Sequence, residues 1–235
     1  MSRYRAVFFD LDGTLVDERA GVRTARAAAA EALRALGYDV PDEVFNAAVQ
    51  LVVDRTFARH GGQWPGIWSR EALMADVLRA LGLHIAPAAR IADAYAAARI
   101  EHLALMPGAR QTLALLSRRV PVGLISNGSG TEQRAKLRRG GLDGYFRALT
   151  ISGDLGVAKP APAIFRAALR SLGVCSGEAV HVGNNFEQDV AGALGVEMGA
   201  IWLNVNGEGA ARSDCHATAV VRSLDELPAL LALGA

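Results

Sequence analysis

Short apolar runs rich in β-branched and aromatic residues alternate along much of the chain with stretches of helical period. The first run, residues 5–10, is bounded by charged residues and predicts a buried strand. Further strands are predicted at residues 120–126, 147–152, 178–183, 199–204 and 217–221. Helices are predicted at residues 109–118, 131–139, 161–172, 187–194 and 224–233. This alternation is typical of an α/β fold in which helices cover both faces of a parallel sheet.

One segment interrupts the alternation. Residues 18–105 show helical patterns throughout and contain no convincing strand. Pro107 and Gly108 then mark the return to the sheet. We therefore expect two domains, a core formed by residues 1–17 and 106–235 and an all-helical insert formed by residues 18–105.

Composition and charge restrict the class of partner. The 235 residues are 51% hydrophobic, and 25 Lys and Arg balance 24 Asp and Glu, for a net charge of +1. Such a chain has no overall field that would hold nucleic acid or an anionic membrane, so recognition is expected to be local. No apolar run reaches the roughly 18 residues of a membrane span. The apolar run at the N-terminus is interrupted by the charged Asp10 before it is long enough for the apolar region of a secretory signal peptide. We expect a cytoplasmic protein, with Cys175 and Cys215 in neither a disulfide framework nor a zinc site.

Three carboxylates follow the first predicted strand within the sequence AVFFDLDGTLVD, at Asp10, Asp12 and Asp17. Ligands of open parallel sheets bind outside the carboxyl ends of the strands, so charge at this point indicates chemistry. The alternative is structural, because Asp12-Gly13-Thr14 is also typical of a turn.

Three later polar stretches also follow predicted strands. ISNGSG places Ser126 before a helix, where hydroxyl and backbone N–H groups bind anions. Lys159 precedes Pro160 at the start of another helix and is one of only two lysines, against 23 arginines (25 minus 2), which favours a need for a compact charge. GNNFEQD places Asn184 and Asp189 in an oxygen-rich cluster suited to a hard cation.

In this order, the four motifs resemble the haloacid dehalogenase-like (HAD) hydrolase superfamily, in particular its phosphatases with a helical cap inserted after the first strand. The resemblance covers nearly the whole chain and implies a Rossmann-like core with residues 18–105 as the cap. It also implies hydrolysis of a small phosphorylated metabolite.

The resemblance assigns a role to each motif residue. Asp10 is expected to attack phosphorus and form an aspartyl phosphate. Asp12 is expected to protonate the leaving alkoxide and later to deprotonate the attacking water. Ser126 and the backbone N–H groups of Asn127 and Gly128 are expected to hold phosphoryl oxygens.

The same resemblance implies a Mg²⁺ ion at this site. Its ligands are expected to be Asp10, the Asp12 carbonyl and Asn184, with Asp189 orienting these neighbours and Lys159 offsetting the charge of Asp10 and of the phosphoryl group. Asn184 departs from the family, which usually has Asp at this position. We therefore expect weaker binding of Mg²⁺, since an amide oxygen remains a suitable ligand.

Three alternatives to a phosphatase stay open. A 2-haloacid dehalogenase uses the aspartate nucleophile without metal, and Asn184-Asn185 favours this alternative, whereas Asp12 opposes it because dehalogenation has no alkoxide to protonate. A sugar phosphomutase would differ mainly in the cap. The loss of an acidic group at Asn184 also leaves open a non-catalytic binding protein on the same fold.

Substrate specificity is expected to depend on the cap. Arg19 and Arg23 follow the first motif and could reach an anionic or hydroxylated part of a substrate, although their spacing is more typical of a solvated helix face. Trp64 belongs to a segment rich in Gly and aromatic residues that could line a pocket, or could pack between cap helices. The sequence does not identify the substrate, and we expect a monomer or homodimer.

Overall fold

The computed structural model describes residues 4–17, 19–59, 69–207 and 217–231. The chain forms two compact units. One comprises Met1–Asp17 and Ala104–Ala235, and the other comprises Glu18–Leu103. The second unit therefore follows the first strand directly in sequence.

The unit Glu18–Leu103 is helical throughout its described part. Its helices are α1 (Val22–Arg34), α2 (Asp42–Arg59), α3 (Arg70–Ala80) and α4 (Ala88–Glu101). They share a core that includes Leu33, Phe45, Met74 and Ile91, each fully buried. The apolar residues recur at helical spacing because each helix buries one face against its neighbours.

The other unit is built on a six-stranded parallel sheet, as the alternation of strands and helices predicts. Its strands are β1 (Ala6–Phe9), β2 (Val122–Ser126), β3 (Ala148–Ile151), β4 (Ala179–Gly183), β5 (Gly199–Leu203) and β6 (Ala219–Val221). The strand order is β3-β2-β1-β4-β5-β6. Every residue of β1, β2 and β4 is buried, which explains why these segments are apolar apart from His181 of β4 and the terminal Ser126 of β2.

The register of the sheet aligns the ends of its central strands. Phe9, the last residue of β1, pairs with Leu124 of β2 on one side and with Val182 of β4 on the other. The Asp10 N–H continues this pattern and donates to the Val182 carbonyl at 2.9 Å. Residues that follow these strands therefore emerge at one edge of the sheet.

Helices connect the strands of this unit. They are α5 (Ala109–Leu116), α6 (Gly130–Gly140), α7 (Ser152–Leu155), α8 (Pro162–Leu172), α9 (Gly192–Leu194) and α10 (Leu227–Leu230). Ile164 and Phe165 of α8 belong to a buried cluster that also contains Ala6 and Phe8 of β1. This packing covers one face of the central strand.

Two predicted helices take a different form. The helix predicted at 187–194 begins as a π-helical turn, Phe186–Ala191, before the short α9. The helix predicted at 224–233 is a 3₁₀ turn, Leu224–Glu226, followed by α10. Apolar periodicity does not distinguish these tighter and wider turns from a regular α-helix.

In the ranges that the structure describes, we find no helix with both the length and the apolar character needed to cross a bilayer.

Candidate active site

The carboxyl ends of three neighbouring strands carry polar residues. Asp10 follows β1, Ser126 ends β2 and Asn184 follows β4. Since β1 pairs in parallel with both other strands, these residues lie at the same edge of the sheet. This is the edge at which open parallel sheets bind ligands. The structure thus brings together residues from three of the four sequence motifs.

The loop after β1 turns tightly through Gly13. Its φ of +83° lies in the left-handed region, and a Cβ at this position would lie only 2.4 Å from Asn184 Nδ2. Conformation and space together therefore require glycine. The next side chain, Thr14, places its Oγ1 3.1 Å from Asp10 Oδ2 and 3.2 Å from Asn184 Oδ1. The turn holds these two oxygen atoms around a single hydroxyl.

Lys159, from the third motif, contacts both Asp10 and Asp189. Its Nζ donates to Oδ1 of each aspartate at 2.6 Å, and all three side chains are buried. Burial opposes the charged form of an amine, but Asp10 and Asp189 more than offset it and raise the pKa of Lys159. The ammonium therefore stays charged between two carboxylates.

The two aspartates differ in their affinity for protons. Burial raises the pKa of Asp10 to about 7, against the attraction of Lys159 and with a further contribution from Asp189. For Asp189, burial acts in the same direction, but Lys159 and His181 outweigh it and hold the pKa well below the usual range. Asp189 is thus the fixed anion of the group, whereas Asp10 holds a proton more tightly, and added positive charge would favour its ionised form.

Asp189 is held from three sides. Besides Lys159, its Oδ1 lies 3.1 Å from His181 Nε2, and its Oδ2 accepts from the Asn185 N–H at 2.9 Å. Burial lowers the pKa of His181, so the ring is neutral and its Nε2 carries the hydrogen that the carboxylate accepts. The ring also packs edge-on against Phe165 at a centroid distance of 5.6 Å. His181 therefore orients Asp189 from within β4.

Ser126 and its neighbours form the side of the site predicted to bind phosphoryl oxygens. The Asn127 side chain donates to the Lys159 carbonyl at 3.1 Å and accepts from the Lys159 N–H at 2.8 Å, which fixes the backbone that carries the lysine. The Gly128 N–H donates to Ser152 Oγ at 2.9 Å. Binding of phosphate by that N–H stays a prediction. It requires a phosphoryl oxygen to take the place of Ser152 Oγ as the acceptor.

Asp12 has two partners that the sequence analysis does not identify, both on α6. Lys136 Nζ lies 2.8 Å from each carboxylate oxygen of Asp12. Gln133 Nε2 lies 2.8 Å from Asp12 Oδ2 and 2.7 Å from Ser126 Oγ. Both α6 side chains are buried. Asp12 is therefore connected to the phosphoryl-binding side of the site through a single amide group.

A signal for these two residues was present in the sequence. The chain contains only two lysines, and the structure pairs Lys159 with Asp10 and Lys136 with Asp12. Gln133 stands three residues before Lys136, a spacing that places both on one helix face. Lysine is equally rare at both positions, but only Lys159 belongs to one of the four motifs, whereas Lys136 lies inside a predicted helix.

The oxygen atoms around Thr14 fit a hard divalent cation. The donors there are one carboxylate, Asp10, and one amide oxygen, Asn184 Oδ1. Asn184 is anchored through its carbonyl, which accepts from Trp202 Nε1 at 2.9 Å. In the described ranges, no three His, Cys, Asp or Glu side chains group into a metal site. The donor set is therefore all oxygen, as Mg²⁺ prefers, but low in negative charge.

The predicted specificity residues lie elsewhere in the chain. Arg19 precedes α1 and Arg23 lies in its first turn, both in the helical unit and both exposed. Trp64 falls within 60–68, outside the described residues. Contact of these residues with a substrate stays a prediction.

Comparison with protein families and curated proteins gives consistent matches. The haloacid dehalogenase-like hydrolase family matches residues 4–196. A glyceraldehyde 3-phosphate phosphatase from Pyrococcus furiosus is 34% identical over 207 residues, which cover 86% of this chain and 82% of that protein. A ribulose-1,5-bisphosphate 5-phosphatase from Halopiger xanaduensis is 33% identical over 226 residues, 94% of this chain and 93% of that protein.

Solved structures match over nearly the full length. A 2-haloacid dehalogenase from Pseudomonas syringae pv. Tomato is 30% identical with a TM-score of 0.73, and the match covers 97% of this chain and 98% of that one. The HAD-hydrolase YfnB from Bacillus subtilis, bound to magnesium, has a TM-score of 0.74 at 21% identity, and the match covers 98% and 99% of the two chains. The latter likeness is one of fold alone.

Proposed function

The chain belongs to the haloacid dehalogenase-like hydrolases, and from this premise we propose that it is a magnesium-dependent phosphatase. Its substrate would be a small phosphorylated metabolite, and its covalent intermediate an aspartyl phosphate on Asp10. Relatives at 33% and 34% identity that are named phosphatases of phosphorylated sugars support this class of substrate.

One observation carries the proposal. A second carboxylate, Asp12, shares the Gln133 amide with Ser126, at distances of 2.8 Å and 2.7 Å. Cleavage of a phosphate ester releases an alkoxide that must be protonated, whereas cleavage of a carbon–halogen bond releases a stable anion. An acid at this place therefore supports phosphoryl transfer.

In the first half of the proposed reaction, an Asp10 oxygen bonds to phosphorus and the bond from phosphorus to the ester oxygen breaks. The proton of Asp12 passes to that oxygen, and the alcohol leaves. Lys159 and Ser126 bind phosphoryl oxygens, so that the negative charge of the substrate does not repel the nucleophile.

In the second half, water attacks phosphorus and the bond to Asp10 breaks. Asp12, now a carboxylate, takes the proton of that water, which restores both aspartates. Asp189 receives no bond in this scheme. It holds the Lys159 ammonium at 2.6 Å, and His181 keeps Asp189 in place.

The residues that would hold Mg²⁺ are Asp10, Asn184 and the carbonyl of Asp12. When bound, the ion supplies positive charge that offsets the phosphoryl group and the Asp10 carboxylate. Burial raises the pKa of Asp10 to about 7, so a neighbouring cation favours the ionised nucleophile. Trp202 supports the fit, since its Nε1 donates to the backbone carbonyl of Asn184 and so holds the residue that carries the Oδ1 ligand.

The test is phosphate release from para-nitrophenyl phosphate with Mg²⁺ and with a chelator. The expected result is metal-dependent turnover that Asp10→Asn abolishes. Asp143→Asn is the matched control, because Asp143 is an exposed aspartate of the same unit. Turnover by Asp10→Asn at the wild-type rate would show that Asp10 is not the nucleophile.

We further propose that the helical unit Glu18–Leu103 acts as the cap and selects the substrate. Support comes from the division of residues, since every catalytic candidate belongs to the other unit while Arg19 and Arg23 belong to this one. Arg23→Ala is expected to raise KM for the preferred metabolite. The inhibition constant of inorganic phosphate, which binds only at the phosphoryl site, is expected to stay unchanged. Equal shifts in both constants would argue against a role in selection.

A 2-haloacid dehalogenase is the second candidate, favoured by Asn184 and by the 30% identical dehalogenase structure. Halide release from 2-chloropropionate without metal distinguishes it from a phosphatase. A sugar phosphomutase would instead isomerise a sugar phosphate without releasing phosphate. A binding protein would bind phosphate without turning over any of these compounds.

A further inference from the structure

Both lysines of the chain are buried, and each is paired with a carboxylate of the first motif. Lys159 pairs with Asp10, as its motif predicts. Lys136 belongs to none of the four motifs, yet its Nζ lies 2.8 Å from both oxygens of Asp12. All other cationic side chains outside the histidines are arginines. The chain therefore uses its only compact, point-like ammonium groups beside its two reacting aspartates.

A buried ammonium is costly unless its partners are well placed. Lys136 has a second acidic neighbour on its own helix, Glu132, whose Oε1 lies 3.3 Å from Nζ. Asp12 is the closer partner and engages Nζ with both oxygens. This pair joins residues 124 positions apart, so it fixes the loop after β1 against α6.

Gln133 extends the arrangement toward the phosphoryl side. Its Nε2 lies within 2.9 Å of three oxygens, those of Asp12, Ser126 and the Asn127 carbonyl. Its own Oε1 is buried without a partner in the described ranges. The side chain is thus oriented entirely by these acceptors, and it sets the separation between the Asp12 carboxylate and the Ser126 hydroxyl.

We propose that Lys136 and Gln133 are positioning residues that hold Asp12 for proton transfer. This inference rests on the proposed phosphatase function. Lys136 engages the two oxygens of Asp12 together, which restricts rotation of the carboxylate. Gln133 sets its place relative to Ser126. When the proton of Asp12 passes to the ester oxygen, the carboxylate that remains already lies against the Lys136 ammonium.

The test compares two aryl phosphates of similar shape, para-nitrophenyl phosphate and phenyl phosphate. Phenolate is the more basic leaving group and depends more on protonation by Asp12. Lys136→Met is expected to lower kcat for phenyl phosphate about tenfold more than kcat for para-nitrophenyl phosphate, with KM little changed. Arg138→Met, which removes an exposed cation from the same helix, is the control and is expected to behave as wild type.

Asp12→Asn provides the reference for complete loss of the acid. In that background, Lys136→Met is expected to add no further loss of kcat, because a positioning residue has nothing left to position. Equal slowing of both aryl phosphates by Lys136→Met, or additive effects in the double variant, would overturn the proposal. Wild-type activity that needs neither Asp10 nor Mg²⁺ would instead refute the proposed function.

Two further variants cover a failure of Lys136→Met to fold. Gln133→Met keeps the size of the side chain and removes only the amide, and Lys136→Arg keeps the charge but changes its geometry. Both are expected to show the same leaving-group dependence, more weakly. A crystal structure of Gln133→Met or Lys136→Met gives a readout independent of turnover. The Asp12 carboxylate should move relative to Ser126, and an unmoved Asp12 would contradict the inference.

Discussion

Lys159 places its ammonium 2.6 Å from Oδ1 of Asp10, and both side chains are buried. The same ammonium lies equally close to Oδ1 of Asp189, so it forms an ion pair with both buried carboxylates. Lys159 is therefore expected to contribute both to the stability of the folded chain and to the reactivity of Asp10.

Replacement of this lysine tests both contributions. Lys159→Met leaves Asp10 and Asp189 without their shared partner and is expected to lower the free energy of unfolding by roughly 3 kcal/mol. Activity should fall below detection. Urea unfolding measures the first effect, with Arg166→Met, an exposed cation on α8, as control. Equal stability of the two variants would mean that the buried carboxylates do not need this ammonium.

Asp10 should reduce the stability of the protein at neutral pH. Burial raises its pKa from the usual 3.8 to about 7, although Lys159 opposes the rise. The folded state therefore holds this proton more tightly than the unfolded state does. The resulting stability is fully present below pH 3.8 and is lost as pH rises to about 7.

Asp10→Asn lacks this dependence on pH. In the presence of a chelator, its Tm should exceed that of the wild type by an amount that grows between about pH 4 and about pH 7. Thermal unfolding across that range measures the difference. A constant difference in Tm would show that Asp10 does not titrate there.

Restoring the acidic residue at position 184 should strengthen the cation site. Asn184→Asp adds a carboxylate beside the oxygen atoms that Thr14 holds together, and we expect about tenfold tighter Mg²⁺ binding. Calorimetric titration measures this directly. Asn185→Asp adds the same charge one residue away and keeps an oxygen that can accept from the Gln188 N–H, so it is the matched control. The same affinity in both variants would place the cation elsewhere.

Gly13 offers a test of the geometry of the turn. Gly13→Ala combines a positive φ with a Cβ only 2.4 Å from Asn184 Nδ2. Gly37→Ala has the same conformational strain, with φ of +88° and nothing within 4 Å of the added Cβ. Both should lose about 1 kcal/mol of stability from the backbone. Only Gly13→Ala should also weaken Mg²⁺ binding and catalysis, measured by titration and by kcat.

The strands were predictable because both faces of the sheet are covered. β1, β2 and β4 are buried along their whole length, so their sequences are apolar except for His181, and they end abruptly at Asp10, Ser126 and Asn184. These three motif residues were visible for the same reason, since each stands where an apolar run stops. The parallel register then brings them together.

The partners of Asp12 were not predictable in this way. Gln133 and Lys136 lie inside a helix, where a polar residue is ordinary. Nothing local shows that this helix face is buried against Asp12, which lies 121 and 124 residues earlier. The π-helical turn at Phe186–Ala191 was missed on similar grounds. The Asp189 carboxylate within this turn contacts Lys159 and His181, and these contacts exist only in the folded chain.

The scarcity of lysine also affects how the protein can be labelled. Reagents that acylate ε-amines can find only Lys136 and Lys159, because every other basic side chain apart from the histidines is an arginine. Both ε-amines are buried and held by carboxylates, and acylation turns each ammonium into a neutral amide. The rate at which such a reagent labels these ε-amines therefore measures how often this edge of the sheet opens to solvent.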